Sequence, residues 1–166
     1  MSLLRIGILA LLITFPLFLR ASPDDAKRPI RFAPVPMEGK KILHEQFFGL
    51  LGYLQEAVGR PVELIDFEDY SDLLEAFRND QIDLAYLGPL PYALLAKSDH
   101  DVEPLACFRE TNGLSSYTCS LVVMGGRQLD LAHVQGLHIG LTQPFSTCGY
   151  LAVSQMLASS GRQVGS

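Results

Sequence analysis

The chain contains 166 residues, of which 48% are hydrophobic and 19% are charged, and this composition excludes a disordered tail. Its formal net charge is −5 and its Lys and Arg residues form no cluster, so we expect no nucleic-acid partner. The 14 Gly and 10 Pro suit an α/β fold with many loops and are too few for collagen or a low-complexity sequence.

The first 22 residues have the pattern of a secretory signal peptide. Arg5 precedes an uncharged apolar run, 6–19, which Arg20 closes. A membrane-spanning helix needs about 20 apolar residues, so this run is too short to cross a bilayer comfortably. The basic start, the short apolar run and the Ala21-Ser22 pair predict export to the periplasm, with an uncleaved anchor as the alternative.

The next part of the chain predicts alternating strands and helices. The predicted elements are a strand at 30–35, a helix at 41–58, a strand at 62–67, a short helix around 73–77, a strand at 82–87 and a helix at 92–97. Apolar residues spaced by three and four define the first helix, and Gly59-Arg60-Pro61 ends it. Asp69 or Ser71 is placed to cap the second helix, and Pro91 to begin the third.

The remaining sequence predicts a second group of elements. These are strands at 102–108 and 117–124 separated by a turn at Asn112-Gly113, a helical turn at 129–134, a strand at 138–141 and a helix at 147–158. Residues 159–166 stand where another helix–strand connection is expected, so we interpret the chain as a fragment or as the front of a longer protein.

The order of strands and helices predicts an α/β fold with a mainly parallel sheet covered by helices on both faces. Ligands of such sheets bind beyond the carboxyl ends of the strands. The loops in which a site is expected are therefore 34–40, 68–71, 88–91 and 142–149.

The loop that follows the predicted strand at 138–141 has the composition of an anion site. Ser146 and Thr147 offer two hydroxyl groups at the start of a predicted helix, where free N–H groups and the helix dipole favour a negative charge. Gly149 would let the backbone approach a ligand closely. An ordinary Ser/Thr helix cap gives the same pattern and remains the alternative at this point.

Four segments, taken together, are similar to the phosphonate-binding periplasmic solute-binding proteins of ABC importers. They are Asp69-Tyr70, the run Asp83-Leu84-Ala85-Tyr86-Leu87-Gly88-Pro89, Ser116-Tyr117 and Ser146-Thr147-Cys148-Gly149-Tyr150. The likeness runs from about Ile30 to Gly161. It implies a two-lobed type II fold, with lobe 1 at 23–124 and only the beginning of lobe 2 at 125–166.

The resemblance also implies a set of site residues and partners. Tyr70 and Tyr117 match ligand-contacting tyrosines, and Ser146 and Thr147 match the pair that holds the phosphonate oxygens. Cys148 and Gly149 complete the expected ligand-binding set, although Cys148 departs from the usual Ser-Thr-Ser-Gly motif. The implied partners are a phosphonate- or phosphate-like oxyanion and an inner-membrane ABC permease. The acidic residues that pair with an aminophosphonate would fall after Ser166.

Three cysteines allow one disulfide and one remaining thiol. Cys119 lies on the same side of its predicted strand as Tyr117, and Cys148 is in the anion loop. If Tyr117 and Ser146 face one cleft, the two cysteines are neighbours, and the periplasm would favour a disulfide between them. Cys107 is then expected to be a small buried hydrophobic residue. A soft metal or metalloid site and a nucleophilic Cys148 are the alternatives.

Other chemistry finds little support in the sequence. The four histidines have no metal-ligand spacing, and there is no nucleophile elbow, Walker loop or dinucleotide-binding motif. We therefore expect no cofactor, no metal and no catalysis. Two further functions stay open: the periplasmic sensor domain of a longer signalling protein, and a thiol enzyme that uses Cys148.

Overall fold

The computed structural model describes residues 28–98, 102–126, 130–131, 136 and 138–163. The signal peptide predicted for residues 1–22 lies outside the described residues, as does most of the helical turn predicted at 129–134. Among the described residues, no helix combines the length and the apolar character needed to cross a bilayer.

Three parallel strands of the described residues form the sheet, and the first of them lies at its centre. The strands are β1 (Ile30–Pro34), β2 (Val62–Leu64) and β3 (Leu84–Tyr86), in the order β2-β1-β3. Phe32 of β1 is paired with Leu64 on one side and with Leu84 on the other. Each neighbouring strand is parallel to β1 because a helix carries the chain back to the end of the sheet where the previous strand began. The predicted α/β fold with a parallel sheet is confirmed.

Four α-helices accompany the sheet in the part of the chain that the structure describes. They are α1 (Lys40–Val58), α2 (Tyr70–Arg78), α3 (Pro89–Ala96) and α4 (Val153–Ser159), and a π-helical segment (Thr147–Ala152) leads into α4. Gly59 ends α1 in the left-handed conformation, with φ of 66°. Asp69 caps α2 by accepting a hydrogen bond from the N–H of Asp72. The first residue of α3 is Pro89, so the prediction that Pro91 begins this helix was wrong.

The hydrophobic core joins β1 to α2 and α3. Leu73, Leu74 and Leu95 are almost fully buried, and Ala33 and Val35 of the first strand and its exit pack with them. Burying aliphatic side chains of this size stabilises a fold by about 1.5–3 kcal/mol each. Tyr70 and Ile82 complete the cluster, and Phe145 packs against it.

An ion pair fixes β3 beside β1 at the opposite end from the strand exits. The Asp83 carboxylate accepts hydrogen bonds from the backbone N–H of Arg31 at 2.8 Å and from its Nε at 3.0 Å. Arg28 adds a contact of 2.9 Å. The side-chain hydrogen bond from Arg31 lowers the pKa of Asp83 from 3.8 to about 2. Asp83, the first residue of the motif at 83–89, therefore stabilises the pairing of β3 with β1.

The strands predicted at 102–108, 117–124 and 138–141 are absent from the described residues, and those predictions were wrong. The turn at Asn112-Gly113 does form, with the N–H of Glu110 donating to the carbonyl of Leu114 at 2.8 Å. Its two flanks do not pair, because an apolar run becomes a strand only where a neighbouring strand accepts its backbone hydrogen bonds.

The segment around Cys107 is correspondingly exposed. Leu105 keeps 75% of its surface accessible and Phe108 keeps 60%. Cys107 is itself exposed, so the expectation of a buried hydrophobic residue was wrong. The reason is the same: no neighbouring strand covers this segment, although Phe108 makes an edge-to-face contact with Tyr86, with ring centroids 5.5 Å apart.

Candidate functional site

The anion loop, residues 142–149, lies against the start of α3. Its shape comes from a turn in which the N–H of Ser146 donates to the carbonyl of Gln143 at 2.9 Å. The N–H of Leu151 then donates to the carbonyl of Ser146 at 3.1 Å, five residues back, which is the π-helical pattern. Because Phe145 is anchored on the core, the loop presents the next two residues, Ser146 and Thr147, at the helix start.

The Ser146 hydroxyl is held by the loop that carries it. Its oxygen accepts a hydrogen bond from the N–H of Gly149 at 3.1 Å. A hydroxyl that accepts from an N–H group still has its own proton to donate. Ser146 is therefore the cap of the π-helical segment and keeps a proton that it can donate, so the structure is compatible with both interpretations that the sequence left open.

The Thr147 hydroxyl reaches a different helix. Its Oγ1 accepts a hydrogen bond from the N–H of Leu90 at 3.0 Å, in the first turn of α3. This contact satisfies one of the N–H groups that every helix start leaves without a partner. A Cβ atom placed on Gly88 would lie 3.6 Å from Thr147 Oγ1, so the loop after β3 and the anion loop are in close contact.

Fewer backbone N–H groups at the start of the π-helical segment are free to bind an anion than the sequence predicted. The N–H of Gly149 is used by Ser146, whereas those of Thr147 and Cys148 have no hydrogen-bond partner among the described residues. Gly149 is required for packing, because an added Cβ would overlap Thr142 and lie 2.8 Å from its Cβ. The structure thus explains this glycine without a ligand.

Tyr70 lies near the Ser146 side chain, and Tyr117 lies near Tyr70. Tyr70 is only 7% exposed, and burial raises the pKa of its phenol. A hydrogen bond with the Ser146 side chain acts in the opposite direction on that pKa, and the nearby Tyr117 raises it further. Tyr117 is half exposed, with 50% of its surface accessible. Residues from three distant parts of the chain therefore converge on one place.

Cys119 and Cys148 are joined by a disulfide. Their Cα atoms are 5.0 Å apart, within the range that such a bond requires. The bond attaches the start of the π-helical segment to the chain near Tyr117. It also occupies both sulfur atoms, so neither a soft-metal site nor a nucleophilic Cys148 fits this arrangement. The described residues contain no group of three His, Cys, Asp or Glu arranged to hold a metal.

An open cleft of about 680 Å³ lies beside the anion loop. Its lining includes Tyr70, Gln143, Ser146, Cys148 and Gly149 together with residues 120–123. Tyr117 and Thr147 lie outside this lining. The described lining residues include no Lys, Arg, Asp or Glu. An anion in this cleft would meet hydroxyl groups, backbone N–H groups and the imidazole of His138.

Comparison with protein-family models identifies the family of this chain. The model of the periplasmic substrate-binding protein of phosphonate ABC transporters matches residues 32–165. The chain belongs to this family. The resemblance found in the sequence is thereby confirmed, and the partial type II periplasmic binding fold agrees with the parallel sheet.

One curated relative extends the comparison. The Phosphate-import protein PhnD of Mycolicibacterium smegmatis is 25% identical over 139 residues, which are 80% of this chain and 42% of the relative. The chain thus spans less than half the length of that relative. Substrate-binding proteins of ABC transporters are not enzymes, so the expectation of no catalysis is confirmed by the family.

Sequence reasoning missed Gln143 as a residue of the site. Its side-chain Oε1 accepts a hydrogen bond from the N–H of Tyr70 at 2.8 Å. Its Nε2 donates to the carbonyl of Pro36 at 3.3 Å. One side chain therefore connects the anion loop to the loops after β1 and before α2. The signal available in the sequence was weak: an amide immediately before Pro144, in a loop already marked for function.

Proposed function

We propose that this protein captures a phosphonate- or phosphate-like oxyanion in its cleft and delivers it to an inner-membrane ABC permease. The observation that carries the proposal is the Ser146 hydroxyl, whose oxygen accepts the N–H of Gly149 and whose proton remains for a ligand. Family membership supports the same conclusion. The mycobacterial relative is named as a phosphate-import protein, which is consistent with this ligand class.

The donors suit a compact oxyanion. The Ser146 hydroxyl, the Tyr70 phenol and the N–H of Cys148 belong to residues that line one cleft. Hydrogen bonds to a charged group contribute about 1.5–3 kcal/mol each, so three of them can hold an anion without a cationic side chain. Thr147 supports the site by capping α3 and has a hydroxyl proton to donate as a further contact.

The whole protein is proposed to work by closing two lobes on its ligand. Residues 23–124 would form lobe 1 and residues 125–166 the beginning of lobe 2. A ligand that contacts both lobes favours the closed form by the difference in its affinity for the two states. Residues 1–22 would direct export to the periplasm, where the permease is reached.

Calorimetry on the full-length protein tests the proposal. Inorganic phosphate and methylphosphonate are titrated into the wild type, into Ser146→Asp and into Thr147→Val. Ser146→Asp keeps an acceptor for the N–H of Gly149 but replaces the donor by a negative charge. We expect affinity for both anions to fall by about a hundredfold or more in this variant. Ser159→Ala is the control, because Ser159 is exposed at the far end of α4.

The threonine variants separate two roles. Thr147→Val removes the cap of α3 and the proposed contact, whereas Thr147→Ser keeps a hydroxyl for both. We expect Thr147→Ser to bind like the wild type and Thr147→Val to bind at least about tenfold more weakly. A wild-type protein that binds neither anion, or a Ser146→Asp variant that binds them unchanged, would overturn the proposed function.

A further inference from the structure

We propose that Gln143 is a positioning residue that sets the Tyr70 phenol against the Ser146 hydroxyl before a ligand arrives. The inference rests on the proposed function and deepens it. It starts from one side chain that reaches 73 residues back along the chain, where its Oε1 accepts the N–H of Tyr70 at 2.8 Å.

The position of that N–H explains why the contact matters. Tyr70 is the first residue of α2, and its N–H has no partner within the helix. Asp69, which caps α2, is occupied by the N–H of Asp72. Gln143 therefore supplies the second cap of α2 from a distant loop. Through it, the start of the helix that carries Tyr70 is tied to the loop that carries Ser146.

Gln143 contacts both Tyr70 and Ser146. The Gln143 side chain binds the backbone of Tyr70, and the Gln143 carbonyl accepts the N–H of Ser146 at 2.9 Å. The Ser146 side chain in turn lies close enough to the Tyr70 phenol to lower its pKa, and both residues line the cleft. A displacement of Gln143 would therefore change the position of Tyr70 relative to Ser146. The bond from Gln143 Nε2 to the carbonyl of Pro36 fixes the amide in the orientation that offers Oε1 to Tyr70.

The neutral amide is also the suitable chemistry for this place. Gln143 lines the cleft beside Ser146, where a carboxylate would repel an anion. A carboxylate could accept from Tyr70 equally well but could not donate to the carbonyl of Pro36. Glutamine is thus able to hold both neighbours without adding negative charge to the cleft.

Amide hydrogen exchange on the full-length, ligand-free protein tests the contact itself. In Gln143→Met, which has nearly the same volume and no polar atoms to share, the Tyr70 amide should lose its protection by about tenfold or more. In Gln143→Glu, which keeps the acceptor, protection should remain within about threefold of the wild type. The control Gln155→Met lies on the exposed side of α4 and should change nothing at Tyr70. If the Tyr70 amide lost the same protection in Gln143→Glu as in Gln143→Met, the proposed hydrogen bond from Tyr70 to Gln143 would be refuted.

A double-mutant cycle tests the positioning role. Affinity for inorganic phosphate is measured in the wild type, Gln143→Met, Tyr70→Phe and the double variant. Gln143→Met should weaken binding by about tenfold when the Tyr70 hydroxyl is present and by less than about threefold when it is absent. If Gln143 had only a structural role, Gln143→Met would weaken phosphate binding by the same factor with and without the Tyr70 hydroxyl. That result would overturn the inference. If the wild type binds no anion, the proposed function fails and hydrogen exchange alone decides whether Gln143 holds Tyr70.

Discussion

Breaking the disulfide between Cys119 and Cys148 should destabilise the protein and loosen its anion loop. The two residues are 29 apart in sequence, and the chain-entropy model gives about 3–4 kcal/mol for a loop of this length. Cys148 lies two residues after Ser146, within the first turn of the π-helical segment. Loss of the bond therefore frees the part of the loop that presents the hydroxyl, and weaker binding of phosphate should accompany the lower stability.

The measurement compares Cys119→Ala with Cys107→Ala by urea unfolding. Cys107 is exposed and unpaired, so it is the matched control for the loss of a sulfur atom. Cys119→Ala should lose about 3–4 kcal/mol of unfolding free energy, and reductant should bring the wild type to the same value. Cys107→Ala should match the wild type in both conditions. Denatured, oxidised wild type should show one reactive thiol, and three after reduction.

Two results would refute this reasoning. Three reactive thiols in protein isolated without reductant would mean that the bond does not form. A Cys119→Ala variant as stable as Cys107→Ala would mean that the bond forms but does not restrain the unfolded chain. If stability falls as expected and phosphate affinity does not, the bond supports the fold without shaping the site.

The ion pair of the sheet and the two tyrosines of the site give separate predictions. Since the folded pKa of Asp83 lies near 2, below the ordinary 3.8, its contribution to stability is complete above about pH 4 and is lost as pH falls through 2. Asp83→Asn should lower the unfolding free energy at neutral pH by about 1–2 kcal/mol, allowing for partial exposure, and urea unfolding should show the difference vanish near pH 2. A difference that does not shrink as pH falls from 4 to 2 would contradict the linkage. Tyr70→Phe and Tyr117→Phe should each weaken phosphate binding by about 1 kcal/mol or more in calorimetry. Parent-like affinity in both would show that these rings only pack.

The elements that sequence patterns predicted well are those whose signals are local. The helix at 41–58 was visible because its apolar spacing and its glycine terminator lie within the helix itself, and α1 spans Lys40–Val58. The strands β1 and β3 were predicted within two residues of their ends because short apolar runs between helices leave few alternatives. The expected strand at 62–67 is shorter, since only Val62–Leu64 has a partner in β1.

The predictions that failed depend on partners that the local sequence does not specify. The run 117–124 has good β propensity, but Val122 stays 84% exposed because no described strand pairs with it. Gln143 could not be identified as a tie to Tyr70, since its neighbours are 73 and 107 residues away. The Ser146-Thr147 pair was found because its signal lies within the loop, whereas the hydrogen bond by which Thr147 caps α3 was not predicted.

The number of residues that separate the contacting partners indicates when the anion site forms during folding. Contacts from the anion loop to Leu90, Tyr70 and Pro36 span 57, 73 and 107 residues, each more than the 52 residues between the partners of the Arg31–Asp83 pair. Longer closures cost more chain entropy and are generally made later along a folding pathway. A folding chain should therefore acquire its parallel sheet first and its ability to bind an anion last. By the same argument, the first event of unfolding should be release of the loop, so that binding is lost while the sheet is still intact.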